Sequence, residues 1–168
     1  MPYEVQICEV APKPLAAAHG HGNARNFVPQ LFALLDEVWK FLKANPQVRQ
    51  EGLNVFLYFD EDDQRLLHTE QGLPVAAGVK VAAPFAGAGK VVCSATPGGT
   101  VATTVHIGPY ERLSEAHAAV RAWCKDNHHP IAGPNWEIYG HWNEDPAQLR
   151  TDVFYLLQPK APQGHDDE

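Results

Sequence analysis

The sequence predicts an α+β fold made of a duplicated strand–helix–strand–strand module. Two observations carry this. The segments Asn54-Val55-Phe56-Leu57-Tyr58 and Asn135-Trp136-Glu137-Ile138-Tyr139 share one frame, with Gly52 and Gly133 ahead of the Asn and a Tyr at the end. Each follows a helical stripe that stops before a proline, Pro46 in one half and Pro130 in the other. Trp39 and Trp123 precede those prolines at the same spacing. Helices that lead into antiparallel hairpins cover one face of a sheet. Two such modules predict pseudo-twofold symmetry, with two long helices on one side of an antiparallel sheet. The surface between the halves is then a natural ligand groove.

The elements follow in order. Glu4 to Val10 alternates loosely and reads as a strand. Pro12 and Pro14 predict a bulge or bend, after which Leu15 to His19 resumes the strand. Gly20 to Asn23 is a turn. Phe27, Leu31, Leu34, Leu35, Val38, Phe41 and Leu42 recur at helical spacing, and Asn45-Pro46 ends that helix. Asn54 to Phe59 and Leu73 to Ala82 are strands around an acidic loop, Asp60 to Asp63, that reads as a solvated turn. Pro84 to Lys90 is a short joint. The pattern then restarts with strands at Val91 to Ala95 and Val101 to Ile107, broken by Gly108-Pro109. Leu113, Ala116, Val120, Trp123 and Cys124 mark the second helix. Trp136 to Trp142 and Asp152 to Leu157 close the pattern.

At 168 residues the chain reads as one domain over residues 1–160, with repeats at about 1–83 and 90–159. Residues 161–168 read as a disordered acidic tail. Hydrophobic content of 45% and charged content of 20% suit an ordinary globular protein. A net charge of −7 argues against nucleic acid as a partner and suits a cationic ligand. No membrane span or signal peptide is visible, which predicts a cytoplasmic protein. Cys8, Cys93 and Cys124 lack metal spacing and read as buried free thiols. The pairs His19 with His21 and His128 with His129 do not make a metal set, so neither metal nor cofactor is predicted. The expected state is a monomer or weak dimer.

Strand parity sorts the side chains. Trp136, Ile138 and Trp142 share one face with Val55, Leu57 and Phe59 in the equivalent strand, and this apolar set is expected under the helices. Glu137, Tyr139 and His141, with Phe56, Tyr58 and Asp60, form the other set. Aromatic rings ending in hydroxyls beside an acid are what a semi-polar pocket uses. The one large difference between the copies is Glu137 where the first has Phe56.

Four segments together carry a family resemblance. Val105-His106-Ile107-Gly108-Pro109-Tyr110-Glu111 leads into a helix. Gly133 to Tyr139 carries Glu-x-Tyr, and Thr151-Asp152-Val153-Phe154-Tyr155 opens the last strand. Pro74 to Val79 adds a strand around Gly78. The chain thereby resembles the GyrI-like family, the gyrase-inhibitor-like or AraC effector-binding small-molecule-binding domain, to about Pro159. The resemblance implies a groove in which Glu137 pairs with a lipophilic cation and aromatic rings, Tyr110 among them, stack around it. Some relatives hydrolyse cyclopropane-bearing electrophiles, which would make Glu137 a general base and Tyr110 or Tyr139 its helper. A third reading is a topoisomerase-inhibiting protein partner, with the acidic surface mimicking DNA. The expected ligand-binding residues are Glu137, Tyr139, Tyr110, Tyr58, Phe56, His141, Tyr155, Trp142 and His106. The absence of a placeable Cys-His or Ser-His pair favours binding over catalysis.

Overall fold

The computed structural model describes residues 3–59 and 65–159. Its strands are β1 (Gln6–Val10), β2 (Pro14–Gly22), β3 (Gln50–Tyr58), β4 (Leu73–Val81), β5 (Val92–Ala95), β6 (Gly99–Ile107), β7 (Ile131–Tyr139) and β8 (Arg150–Leu157). Two helices join them, α1 (Phe27–Ala44) and α2 (Leu113–Asp126). The strands form one antiparallel sheet in the order β1-β6-β8-β7-β3-β4-β2-β5. The fold is therefore α+β. The acidic run Asp60 to Asp63 and the 161–168 tail lie outside the described residues.

Strand order and link length together force the sheet to curl. Strands β1 and β2 stand six places apart in the sheet. In a flat sheet that is about 29 Å. Only Ala11, Pro12 and Lys13 join them, and such a link reaches about 14 Å at most. Strands β5 and β6, also six places apart, are joined by an equally short link at residues 96–98. The two links meet. Lys13 N–H donates to Thr96 Oγ1 at 3.0 Å, and Thr96 N–H donates to the Lys13 carbonyl at 3.0 Å. Pro12 and Pro14 thus do more than bend one strand: they separate two strands at opposite ends of the sheet.

Curling buries a face that no helix covers. Leu15, Ala17, Val55, Leu57, Ala76, Val101 and Trp136 pack there, with Trp136 stacked on Phe154 at 5.3 Å. This corrects the expectation that the Trp136, Val55 and Leu57 set lies under the helices. Parity separates the faces correctly, but the curl, not a helix, dries this one. The opposite set packs beneath the helices. Leu31, Leu34, Leu35, Val38 and Leu42 of α1 sit on Ala16, Ala18, Phe56, Tyr58, Val75 and Ala77. Leu113, Ala116, Val120 and Cys124 of α2 sit on Ala102, Val153, Tyr155 and Leu157. Tyr139 packs against both clusters.

Smaller corrections follow from edge geometry. Of the three thiols only Cys124 is buried; Cys8 and Cys93 lie exposed on the edge strands β1 and β5. Strand β7 stops at Tyr139, which leaves Trp142 in the loop beyond it. Among the described residues no helix is long and apolar enough to cross a membrane.

Candidate functional site

The middle of the sheet is the β3–β7 pair, and its register sets Phe56 opposite Glu137 and Tyr58 opposite Asn135. Helix-facing side chains of these strands meet where neither helix reaches fully across. A cavity of about 700 Å³ opens there. Phe27, Val28, Leu31, Phe32 and Leu35 of α1 form one wall. Phe56, Tyr58 and Tyr139 form the floor, while Tyr110, Glu111, Leu113, His141 and Trp142 close the far side. The rings interlock. Phe56 meets Tyr139 edge-on at 5.3 Å, as Tyr110 does at 5.3 Å, and Phe27 stacks on Tyr58 at 5.6 Å. Among the described residues no Lys or Arg lines the cavity. Its mouth is apolar, since Val28, Phe32, Tyr110 and Trp142 are all exposed.

Glu137 lies behind this floor and is only 4% exposed. A buried carboxylate needs partners, because an unpaired one costs several kcal/mol. It has three. Tyr58 and Tyr139 both donate their hydroxyls to Oε1, each at 2.7 Å. His117 Nε2 meets Oε2 at 2.6 Å. With the proton on Nε2, the imidazole donates to Glu137 and its Nδ1 accepts from the Tyr155 hydroxyl at 2.7 Å. The Arg121 guanidinium then donates to the Tyr155 oxygen at 2.8 Å. One chain of hydrogen bonds thus runs from the cavity floor, through the acid, to Arg121 of α2.

Electrostatics keep the phenols as donors. Burial, then the Glu137 charge, pushes Tyr58 well above the ordinary tyrosine value. The same two causes raise Tyr139. Burial pushes Tyr155 up to about 12 against the opposing pull of Arg121. Raising a phenol's pKa in this way means the neutral, donating form is favoured.

The structure gathers most of the sequence-predicted residues. Phe56, Tyr58, Tyr110, Tyr139, His141 and Trp142 line the cavity, and Glu137 stands beneath it. Tyr155 lies one step further away, reached through His117. His106 stands apart from the cavity lining: buried on β6, its ring contacts the Tyr3 hydroxyl at 2.8 Å and the Pro109 carbonyl at 2.9 Å. It braces the turn that presents Tyr110. His117 and Arg121 are the residues that sequence reading missed. The signal was present, since position 117 falls on the inward stripe with Leu113, Val120 and Cys124. Among the described residues there is no cluster of three or more potential metal ligands.

The family described as the GyrI-like small molecule binding domain matches residues 3–157, nearly the whole chain. The chain belongs to the GyrI-like family. Solved structures share its fold. The EcmrR C-terminal domain aligns with a TM-score of 0.75 at 20% identity, covering 94% of this chain and 99% of that one. In the EcmrR–DNA complex the match covers 58% of the EcmrR chain, so the protein spans a little over half that length. SAV2435, solved with tetraphenylphosphonium bound, aligns with a TM-score of 0.64 at 12% identity, covering 94% of both chains. A hydrolase encoded by lin2189 from Listeria innocua aligns at 0.56 and 13% identity, covering 94% of this chain and 93% of that one. No curated protein matches the sequence at a significant level. As a GyrI-like domain, the protein is a small-molecule-binding domain.

Proposed function

We propose that this protein binds amphipathic, cationic aromatic small molecules between α1 and α2, with Glu137 as the charge partner, and so senses or sequesters them. One observation carries the reading: a buried carboxylate beneath the aromatic floor of an apolar cavity that, among the described residues, no Lys or Arg lines. Ring faces attract cations by roughly 0.5–2 kcal/mol each, and the carboxylate adds Coulomb attraction that burial strengthens. Because Tyr58 and Tyr139 occupy Oε1, a ligand that reaches the acid moves at least one phenol aside. SAV2435 carries tetraphenylphosphonium, a probe of this chemistry. In the same reading the runs β2-α1-β3-β4 and β6-α2-β7-β8 are copies of one module. The pseudo-twofold axis then passes between Phe56 and Glu137, whose register pairing fits it. The acid thus stands where the two halves meet.

Calorimetric titration with tetraphenylphosphonium and with neutral triphenylphosphine oxide tests the proposal. Saturable binding of the cation, weakened at least about tenfold in Glu137→Gln while the neutral probe is unaffected, is the expected result. Equal affinities of wild type and Glu137→Gln for the cation would overturn it. The Glu137–His117 contact and the likeness to the Listeria innocua hydrolase favour a second reading. In it, Glu137 activates water against a strained cyclopropane-type electrophile, and Tyr110 or Tyr139 protonates the leaving carbon. An unchanged electrophile after long incubation with stoichiometric protein would remove that reading.

A further inference from the structure

Among the described residues His117 is the one nitrogen base in contact with the buried acid, and the binding of a cation leaves it unused. Its Nε2 sits 2.6 Å from Glu137 Oε2, on the oxygen opposite the one that faces the cavity floor. Its Nδ1 contacts Tyr155 Oη at 2.7 Å. Both charge states of the ring find partners there. Neutral, the ring accepts from the Tyr155 hydroxyl. Protonated, it donates to the Tyr155 oxygen. The groups that face it are Glu137 from β7, Tyr58 from β3 and Tyr155 from β8. Tyr139 shares the carboxylate from β7, and Arg121 reaches Tyr155 from α2 itself. Glu137 is the only acid in that set. An imidazolium on one oxygen of this carboxylate and a ligand cation at the other would therefore share a single negative charge in a largely dry site.

We propose that His117 is the internal counter-ion of Glu137, and that a ligand cation enters in exchange for the His117 proton. This rests on the reading of the cavity as a cation site and adds its regulation. The balance is one cation bound and one proton released to solvent from Nε2 or Nδ1, with no bond made or broken to carbon. The exchange favours permanently charged cations at neutral and alkaline pH and weakens them in acid. It also gives His117 a role that packing alone does not require.

The test uses tetraphenylphosphonium, which has no group that titrates, on the full chain between about pH 5 and 8, the range in which imidazole changes charge. Affinity rises with pH, by up to about tenfold per unit, while His117 carries the exchanged proton, and is level where it does not. In His117→Gln the slope disappears and acid-side affinity meets the alkaline value. His141→Gln, which removes the imidazole that lines the cavity itself, keeps the slope. The wild type alone gives a second readout that needs no folded variant: calorimetry at acid pH in buffers of different ionisation enthalpy finds close to one proton released per cation bound. Binding that is flat with pH, releases no proton, or keeps its slope in His117→Gln overturns the proton exchange and leaves the cation site standing. No saturable binding at any pH overturns both.

Discussion

Phe56 and Glu137 are register partners across the central strand pair β3–β7. One position of the pair is apolar and the other ionisable, so the sheet itself does not demand an acid. Phe56 turns into ring contacts with Phe32 and Tyr139. Glu137 instead draws hydroxyls from β3 and β7 and an imidazole from α2. The acid is the hub that ties β3, β7 and α2 together beneath the cavity.

That hub sets an order of stabilities. Tyr58→Phe removes one of three donors and leaves the carboxylate two, at a cost of about 1 kcal/mol. Glu137→Leu strands two buried hydroxyls and a ring nitrogen and is expected to cost about 3–5 kcal/mol. Urea denaturation followed by circular dichroism measures both. Equal losses from the two substitutions would mean that the carboxylate is not the hub.

The elements that sequence shows best are those fixed by local geometry. Alternation along β3 and β7 separates Phe56, Tyr58, Glu137 and Tyr139 from Val55, Leu57 and Trp136, because a strand's side chains can only alternate. Which set meets the helices is not local. It depends on the curl imposed by the three-residue links, and strand order leaves no periodic trace. His117 escaped notice for a related reason: a polar residue on an apolar helical stripe declares itself only when the buried acid opposite is known. Likewise Trp136 and Trp142 look alike on paper, and the end of β7 between them separates their fates.

Those two tryptophans give opposite outcomes. Trp136 is 2% exposed and stacked on Phe154, so Trp136→Ala opens a void in the helix-free core and costs about 3–5 kcal/mol. Trp142 is 75% exposed at the cavity mouth. Trp142→Ala leaves stability within about 0.5 kcal/mol and lowers affinity for an aromatic cation several-fold, through the loss of a ring face. Thermal denaturation and calorimetric titration separate the two, and a stability loss at Trp142 matching that at Trp136 would contradict the placement.

Alkaline pH should find the phenols. Tyr58 and Tyr139 are held above the ordinary value near 10 by burial and by Glu137, and Tyr155 is pushed up to about 12 mainly by burial. Above pH 10 the unfolded chain loses these protons while the folded chain keeps them. The stability they contribute is therefore complete below about pH 10 and falls as pH rises towards and through the folded values. In an ultraviolet titration the phenolate signal of these three is expected to appear with unfolding and not before it. Five ordinary midpoints near pH 10, with the circular dichroism still native, would rule this out.

The helix-free face offers a last test, because its burial rests on curl alone. Gly78 stands in register with Ala17 of β2 and Val55 of β3. A methyl group there would lie 2.7 Å from the Ala16 carbonyl oxygen, which belongs to the β2 backbone, and 2.8 Å from Leu15 Cγ, and both residues are fully buried. Neither neighbour can move without shifting β2, so Gly78→Ala is expected to cost about 1–3 kcal/mol. Gly20 is the contrasting site on the same strand pair. Its nearest neighbours would be side-chain ends of Gln30 and Leu34 at 3.2 Å, which can give way. Replacing that glycine also removes freedom from the unfolded chain, worth about 0.4–1 kcal/mol in favour of the fold. Gly20→Ala should therefore be close to neutral. Gly78→Ala leaves the cavity floor on the other face intact, so the fraction that folds is expected to bind its ligand with wild-type affinity. Urea denaturation paired with titration of the folded protein reads both effects, and a larger loss at Gly20 than at Gly78 would contradict a sheet closed by its own curvature.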